Sequence, residues 1–325
     1  MEDYHLIDDI LANDLKKEPI RSGFGRGLVA SGKLSENVVA LCADLTGSTK
    51  MDDFAKFYPD RFIEVGIGEQ NLVTVASGLA AMGKIPFVSS YAAFSPGRNW
   101  EQIRTTICLN DRPVKIIGSH AGVSVGPDGA THQMLEDIPL MRVLPNMVVI
   151  SPCDSLEAER ATLAMAVNNK PNYMRLAREE TPIITTYSTP FQIGKAYVYW
   201  GGTDLSIIST GTMTYHAMVA AAMLVSQGVS IEVVHVPTIK PLDKDTILAS
   251  LSKTGCAITA EEGQINGGLG GAVAELLAEN LPLPMKRIGI NDRFGESGSP
   301  GELFAHFGLT SDHIIQAAYE VMDRK

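Results

Sequence analysis

The sequence has few cysteines and contains no long apolar run. The four cysteines lie far apart, at Cys42, Cys108, Cys153 and Cys256, and form no C-x-x-C pair. Their scatter argues against a disulfide framework or a zinc site and fits a reducing compartment, so we expect a cytoplasmic protein. No stretch approaches the roughly 20 apolar residues that a membrane-spanning helix needs, and we expect no membrane partner.

The sequence also has fewer basic than acidic residues, with 27 Lys and Arg against 37 Asp and Glu, which gives a formal net charge of -10. This surplus of acid disfavours nucleic acid as a partner. The N-terminal stretch MEDYHLIDDILANDLKKE has no basic segment followed by an apolar core, so it does not match a secretory signal. A local cluster of Arg and His can still bind a small anionic substrate.

The first half of the chain alternates short β-type runs with helical patterns. The predicted strands, all rich in Val and Ile or bounded by turn residues, cover residues 37–44, 86–91, 113–120 and 147–152. From Gln70 the apolar residues keep helical spacing until Gly83 ends the run. This alternation predicts an α/β fold, with a mainly parallel sheet covered by helices on both faces.

A second alternating set follows residues 185–203. The Pro, Gly, Ser and Thr content of this stretch is typical of a linker, and a strand in part of it stays open as an alternative. We therefore expect two three-layer αβα domains, residues 1–190 and 191–325. Ser311 is the expected cap of a C-terminal helix. The GGLGG segment is not expected to bind a dinucleotide, because we find no suitably placed strand before it and no acidic residue at the required distance.

Glu69 stands at the first turn of the helix from Gln70, after a glycine-rich turn and before a long run of small apolar residues. An acidic residue there is commonly explained by the positive end of the helix dipole. A semi-buried carboxylic acid can instead share a proton with a nitrogen heterocycle, because desolvation favours its neutral form. Thiamine diphosphate requires such a group beside its pyrimidine ring.

The segment RFIEVGIGEQNLVTVASGLAAMGKIPFVSSYAAF resembles the pyrimidine-binding domain of transketolases. The resemblance continues through EQIRTTI, GSHAGVSVGPDGATHQ and YMRLARE, and it covers most of residues 18–185. TAEEGQINGGLGGAVAELL in the second half resembles the transketolase C-terminal domain. The resemblance implies a thiamine diphosphate-binding fold followed by that C-terminal domain, and two-carbon ketol transfer between a phosphorylated ketose and an aldose.

The resemblance also implies roles for individual residues. Glu69 is the expected catalytic acid at the pyrimidine ring. The residues expected near the cofactor are Phe94, as the stacking aromatic, with Tyr91, Asp44 and His132. The residues expected to bind the sugar or its phosphate are Arg21, Ser48, His120, Asp128 and Arg178. Each has an ordinary structural explanation taken singly, such as a turn, a strand end or a surface charge, and we assign no metal ligand to this chain.

Transketolases also have an N-terminal half that binds the diphosphate through Mg²⁺ with a GDG motif, and this chain has no GDG. We therefore expect the C-terminal subunit of a split transketolase, with Mg²⁺ ligands on an N-terminal partner subunit and two copies of each chain in a heterotetramer. Three alternatives stay open: the β subunit of a 2-oxoacid dehydrogenase, an enzyme like 1-deoxyxylulose 5-phosphate synthase, and a non-catalytic scaffolding module.

Overall fold

The computed structural model describes residues 4–325, which form two large sheets and one small antiparallel ribbon. The elements of the first half are β1 (Lys17–Pro19), α1 (Ile20–Leu34), β2 (Val38–Cys42), α2 (Asp52–Phe57), β3 (Phe62–Glu64), α3 (Glu69–Ala81), β4 (Ile85–Tyr91), α4 (Trp100–Gln102), β5 (Lys115–Ser119), α5 (Asp137–Arg142), β6 (Val148–Ile150), α6 (Ser155–Val167), β7 (Asn172–Arg175) and β8 (Glu180–Pro182). A π-helix, Ile103–Cys108, continues α4, and short 3₁₀ helices span Pro59–Arg61 and Val123–Asp128.

The first sheet has seven strands in the order β12-β6-β7-β5-β4-β2-β3, and β12 (Thr238–Lys240) comes from the second half of the chain. All neighbouring strands run parallel except β12, which pairs antiparallel with β6. Alternate residues of β2 enter apolar clusters on opposite faces of the sheet: Val39 and Leu41 on one side, Val38 and Ala40 on the other. This two-sided burial explains why the strands read as continuous apolar runs.

The remaining elements of the second half are β9 (Tyr197–Trp200), β10 (Leu205–Ser209), α7 (Met213–Ser226), β11 (Ile231–His235), α8 (Lys244–Thr254), β13 (Ala257–Gln264), α9 (Leu269–Asn280), β14 (Met285–Ile290), α10 (Pro300–His306) and α11 (Ser311–Met322). The second sheet has the order β14-β13-β10-β11-β9, parallel except for β9. The α/β class with mainly parallel sheets is therefore confirmed.

The structure corrects several local predictions. The stretch read as a linker contains β9, and helix α11 is capped by Thr310 rather than Ser311, without a side-chain cap bond. Strand β13 does precede the GGLGG segment; its Glu261 carboxylate accepts the N–H groups of Leu269 and Gly270 at 2.8 Å each. The first turn of α9 is thus already bonded to a protein carboxylate, which agrees with the expectation that it does not bind a dinucleotide.

None of the helices in residues 4–325 combines the length and apolarity that a bilayer crossing needs. The four cysteines are all buried and free. The expected boundary at residue 190 stays a prediction, and β12 shows that the second half contributes one strand to the first sheet.

Candidate active site

Glu69 lies buried at the start of α3, with 2% of its surface exposed. The chain reaches it from β3 through a turn in which Gly66 adopts φ +70°, a conformation that favours glycine. Arg98 Nη1 donates to Glu69 Oε2 at 2.7 Å, and Asn99 Nδ2 donates to the Glu69 carbonyl at 2.8 Å. The predicted burial of this carboxylate is thus confirmed, and the sequence did not predict its ion pair.

Two aromatic rings, one at the end of β4 and one just after it, form a flat wall beside this carboxylate. Tyr91 and Phe94 stack with ring centroids 5.9 Å apart and planes 17° apart, and both rings are partly exposed. His132 meets the Phe94 ring edge-on at 5.5 Å. The Arg98 guanidinium lies 4.8 Å from the Phe94 centroid, so this planar cation connects the aromatic wall with Glu69.

His120 joins the aromatic wall to a cluster of positive charge. Its ring stacks on Tyr91 at a centroid distance of 3.9 Å, and Arg21 Nη1 lies 2.9 Å from His120 Nε2. Because guanidinium can only donate, Nε2 is the acceptor, and Nδ1 carries the proton that faces Ser119 Oγ at 2.9 Å. Burial, and then the charges of Arg21 and Arg178, lower the pKa of His120 to about 3. The imidazole is therefore neutral at physiological pH.

Two guanidiniums lie close together beside this neutral ring. The pKa of Arg21 is lowered by burial and then by the charge of Arg178. Arg178 Nη1 donates to the Val125 carbonyl at 2.8 Å, while the Nε atom of Arg21 is buried without a hydrogen-bond partner in the described structure. Two neighbouring cations with a spare buried donor are suited to hold an anion, and guanidinium matches phosphate oxygens in particular.

Three of the predicted residues lie outside this cluster. Asp44, Ser48 and Asp128 are exposed, and within residues 4–325 none of their side chains makes a hydrogen bond or ion pair. The loop of Asp44 is held by Glu64, which accepts the Asp44 N–H at 2.7 Å and the Gly66 N–H at 3.1 Å. Glu64 therefore ties this loop to the turn before Glu69.

Sequence reasoning missed Arg98, Asn99, Ser119 and Glu64. Arg98 and Asn99 lie in the segment SPGRNW, directly after the residues of the aromatic wall. The sequence signal that could have found them is this pair of polar residues in the loop after a predicted strand. Their contacts with Glu69 span about thirty residues of chain, so local pattern could not reveal them. The structure brings together Glu69, Tyr91, Phe94, His120, His132, Arg21 and Arg178.

The residues present fit the pyrimidine ring of thiamine diphosphate. The Arg98 guanidinium, a flat group bearing N–H donors, already contacts both Glu69 and the Phe94 ring. Half of the Arg98 side chain is exposed, so the ion pair with Glu69 is open to solvent on the Arg98 side. A planar heterocycle could make the same two contacts as this guanidinium, with a ring nitrogen at Glu69 and a ring face against the aromatic wall.

The cluster of potential metal ligands found within the described residues does not suit Mg²⁺. Within residues 4–325, the cluster of potential ligands that the fold brings together is Cys153, Glu157 and His235, all buried. His235 Nε2 lies 2.8 Å from Glu157 Oε2, and its other ring nitrogen lies 2.9 Å from Thr214 Oγ1. These groups bond to one another, and a thiol and an imidazole do not suit a hard cation that prefers oxygen ligands.

Comparison with known protein families gives matches over most of the chain. The family described as "Transketolase, pyrimidine binding domain" matches residues 16–183, and "Transketolase, C-terminal domain" matches residues 194–314. Together these two matches include every residue of the cluster around Glu69.

Two similar proteins are of nearly the same length as this chain. A Methanocaldococcus jannaschii protein, provisionally named as a transketolase C-terminal section, is 44% identical over 94% of this chain and 97% of its own. A Clostridium protein named as a 6-deoxy-6-sulfo-D-fructose transketolase subunit is 39% identical over 96% of this chain and 97% of its own.

Two solved structures of transketolases are also similar to this chain. One described as a split gene transketolase, inactive beta4 tetramer, matches with TM-score 0.89 and 42% identity over 94% of this chain and 98% of that chain. The crystal structure of Campylobacter jejuni transketolase matches with TM-score 0.79 over 96% of this chain and 48% of that chain. At 21% identity this second likeness concerns the fold alone.

Proposed function

The chain belongs to the transketolase family, and from that premise we propose that it is the C-terminal subunit of a split, thiamine diphosphate-dependent transketolase. The observation that carries the proposal is the buried Glu69 carboxylate, which lies beside the Tyr91 and Phe94 wall at the start of α3. Relatives that match over nearly their whole length support an independent subunit of this size. Residues 1–190 and 191–325 are the two domains that we assign to it.

When bound, thiamine diphosphate supplies a nucleophilic carbon that accepts a two-carbon ketol unit from a ketose. In our proposal Glu69 holds a proton at the pyrimidine nitrogen, and its burial keeps water from competing for that proton. Phe94 and Tyr91 pack against the ring, with His132 at their edge. We keep Asp44 as a further cofactor contact, because Glu64 holds its exposed loop against the turn before Glu69. We place the Mg²⁺ ligands on an N-terminal partner subunit.

We assign the anionic end of the sugar to Arg21 and Arg178, with Ser48 as an added hydroxyl donor. Neutral His120 accepts from Arg21, and its ring orients that guanidinium. Asp128, at the rim, is the residue that we expect to bind a sugar hydroxyl.

The names of two relatives suggest the class of substrate. One relative is named for a sulfonated fructose and another, 37% identical, for apulose 4-phosphate. We therefore propose that the substrate is a ketose with a terminal phosphate or sulfonate.

The proposal requires a second chain, and we place both subunits in the cytoplasm. The similar structure described as an inactive beta4 tetramer supports self-association of this subunit without turnover. We propose an active heterotetramer with two copies of each subunit.

The test is reconstitution with the partner subunit, identified as a co-purifying chain that contains a GDG motif. We expect ketol transfer from xylulose 5-phosphate or a sulfonated ketose only when both subunits, thiamine diphosphate and Mg²⁺ are present. Robust turnover by the purified chain alone would contradict the split-enzyme proposal. Consumption of pyruvate in place of a ketose would favour the 2-oxoacid dehydrogenase or the synthase alternative.

A further inference from the structure

The loop that carries His120 rests on a carboxylate from the second half of the chain. We call residues 120–132 the substrate loop. Glu262, on β13, is 2% exposed; its Oε1 accepts the Ser124 N–H at 2.8 Å, and its Oε2 accepts the Thr212 hydroxyl at 2.8 Å. One side chain thus bonds the substrate loop of the first sheet to the start of α7 in the second.

The shape of the substrate loop is fitted to this carboxylate. Gly122 adopts φ +86°, and a Cβ atom placed there would lie 2.1 Å from Glu262 Oε1. Only glycine therefore lets the loop backbone pass so close to the carboxylate. The loop and Glu262 form a single packed unit.

Further contacts from the second half hold the other end of the substrate loop. Gln133, directly after the loop, donates from Nε2 to the carbonyls of Gly126 at 2.9 Å and Glu296 at 2.8 Å. A Cβ on Gly129 would lie 2.5 Å from Ser297 Oγ. The loop is therefore enclosed between β13 and the segment before α10.

Ser124, the residue anchored by Glu262, lies in the chain close to His120 and next to the acceptor of Arg178. His120 is four positions before Ser124, and Arg178 donates to the carbonyl of Val125, the residue that follows Ser124. Because Val125 follows Ser124 directly, a shift of the Ser124 backbone would move the acceptor of Arg178. Arg175, which is 5% exposed and ion-paired with Asp137, also lies near enough to Glu262 for their charges to interact.

We propose that Glu262 is a positioning residue of the active site, through which the C-terminal domain fixes the substrate loop and so the anion-binding cluster. The anchoring itself follows from the contacts, whereas its effect on substrate binding rests on the function proposed above. All the site residues expected from the sequence lie in the first domain, residues 1–190, whereas Glu262 lies in the second.

Glu261 provides a matched control one residue away. It is equally buried at 2% and also accepts two hydrogen bonds of 2.8 Å, but its partners are the Leu269 and Gly270 amides at the start of α9. Removing Glu261 therefore damages the same strand and the same domain without touching the substrate loop.

The first experiment measures amide hydrogen exchange in the isolated full chain. In Glu262→Ala we expect exchange in residues 120–132, and above all at the Ser124 amide, to accelerate at least tenfold. Glu261→Ala should accelerate exchange at the start of α9 and leave the substrate loop unchanged. An unchanged loop in Glu262→Ala would overturn the proposal.

A conservative variant guards against a general loss of folding. Glu262→Gln keeps an oxygen that accepts the Ser124 N–H, and its amide can donate to the Thr212 hydroxyl. We expect loop exchange within about threefold of the unsubstituted chain, since geometry and not charge alone holds the loop. Loop exchange as fast in Glu262→Gln as in Glu262→Ala would contradict anchoring by these two bonds.

The second experiment measures kinetics in the reconstituted enzyme. Glu262→Ala should raise KM for the anionic ketose at least tenfold and lower kcat less, whereas Glu261→Ala should leave KM within twofold. Equal KM changes in the two variants would overturn the positioning role. Absence of turnover in the unsubstituted complex would instead refute the proposed function, and the exchange result would still decide whether Glu262 anchors the loop.

Discussion

At the scale of single residues, the candidate site depends on the surroundings of two buried groups. Glu69, at the start of α3, is paired with the Arg98 guanidinium, and His120 is kept neutral by burial and by neighbouring positive charge. Neither environment could be inferred from residue identity alone. Both lead to measurable consequences.

Replacement of Glu69 tests the proposed catalytic acid. We expect Glu69→Gln to lower kcat of the reconstituted enzyme at least a hundredfold, because the amide cannot hold a proton at the pyrimidine nitrogen, and acid–base groups contribute about 10²–10⁴ in rate. Circular dichroism should show an unchanged fold. The control is Glu101→Gln, an exposed carboxylate on α4 outside the cluster, which should retain full activity. A fully active Glu69→Gln enzyme would rule out the assigned role.

The depressed pKa of His120 predicts acid sensitivity. Its pKa is about 3 in the folded chain, first because of burial, against 6.5 when unfolded. Between these values the unfolded chain binds a proton that the folded chain does not, so stability falls as pH drops below 6.5. One such group changes the free energy of unfolding by at most about 1.4 kcal/mol per pH unit.

The measurement is thermal unfolding of the isolated chain from pH 7.5 to pH 4.5. His120→Gln removes the titrating ring, and we expect its melting temperature to fall less steeply below pH 6.5 than that of the unsubstituted chain. Parallel curves for the two proteins would show that His120 does not contribute to acid sensitivity.

At the scale of elements, glycines determine how closely α1 and α6 approach. A Cβ on Gly23 would lie 1.7 Å from the Ser155 carbonyl oxygen, and one on Gly27 would lie 2.7 Å from Thr162 Cβ. The two helices therefore pack backbone against backbone. This packing fixes α1, whose first turn carries Arg21.

We predict that Gly23→Ala lowers the free energy of unfolding by about 2–3 kcal/mol, because the added methyl group forces the helices apart. Gly301→Ala in α10 is the control, since nothing lies within 4 Å of a Cβ at that position. It should be neutral or stabilising by up to about 1 kcal/mol through the lower entropy of alanine. Thermal unfolding of both variants tests this prediction. An unchanged melting temperature for Gly23→Ala would contradict the close packing of the two helices.

At the scale of the whole molecule, buried polar groups connect the two halves. Glu157 on α6 and His235 at the end of β11 are both 0% exposed and 2.8 Å apart. The charge of His235 holds the pKa of Glu157 below its usual value although burial opposes this. Asp154 accepts the N–H groups of Ile184 and Thr185 at 3.0 and 2.7 Å, and so holds the chain that leads to the second half.

Removal of one partner of the Glu157–His235 pair should destabilise the chain strongly. We expect His235→Leu to cost about 3–5 kcal/mol at pH 7, because it leaves a buried carboxylate without its partner. The double variant Glu157→Leu with His235→Leu should be more stable than His235→Leu alone, since the uncompensated charge is then gone. Denaturant unfolding measures both, and a double variant less stable than the single one would contradict this explanation.

The sequence by itself determined the α/β class, the buried strands β2, β4, β5 and β6 of the first sheet, the helix after Glu69 and the family. These features depend on local periodicity and on ordered motifs, which a linear pattern carries. Short elements escaped prediction: β3 and β12 have three residues each, too few for a period to show. The cap of α11 was misplaced by one residue because Thr310 and Ser311 are chemically alike.

Only the tertiary structure decided which side chains meet. The Arg98–Glu69 pair, the Arg21–His120 contact and the Glu262–Ser124 bond join positions 29, 99 and 138 residues apart. The physical reason is that parallel strands gather their carboxyl ends at one edge, so distant loops become neighbours. The chain order records each loop separately. The first two contacts exist only after the first sheet has formed, and the Glu262–Ser124 bond exists only after the two sheets have packed together.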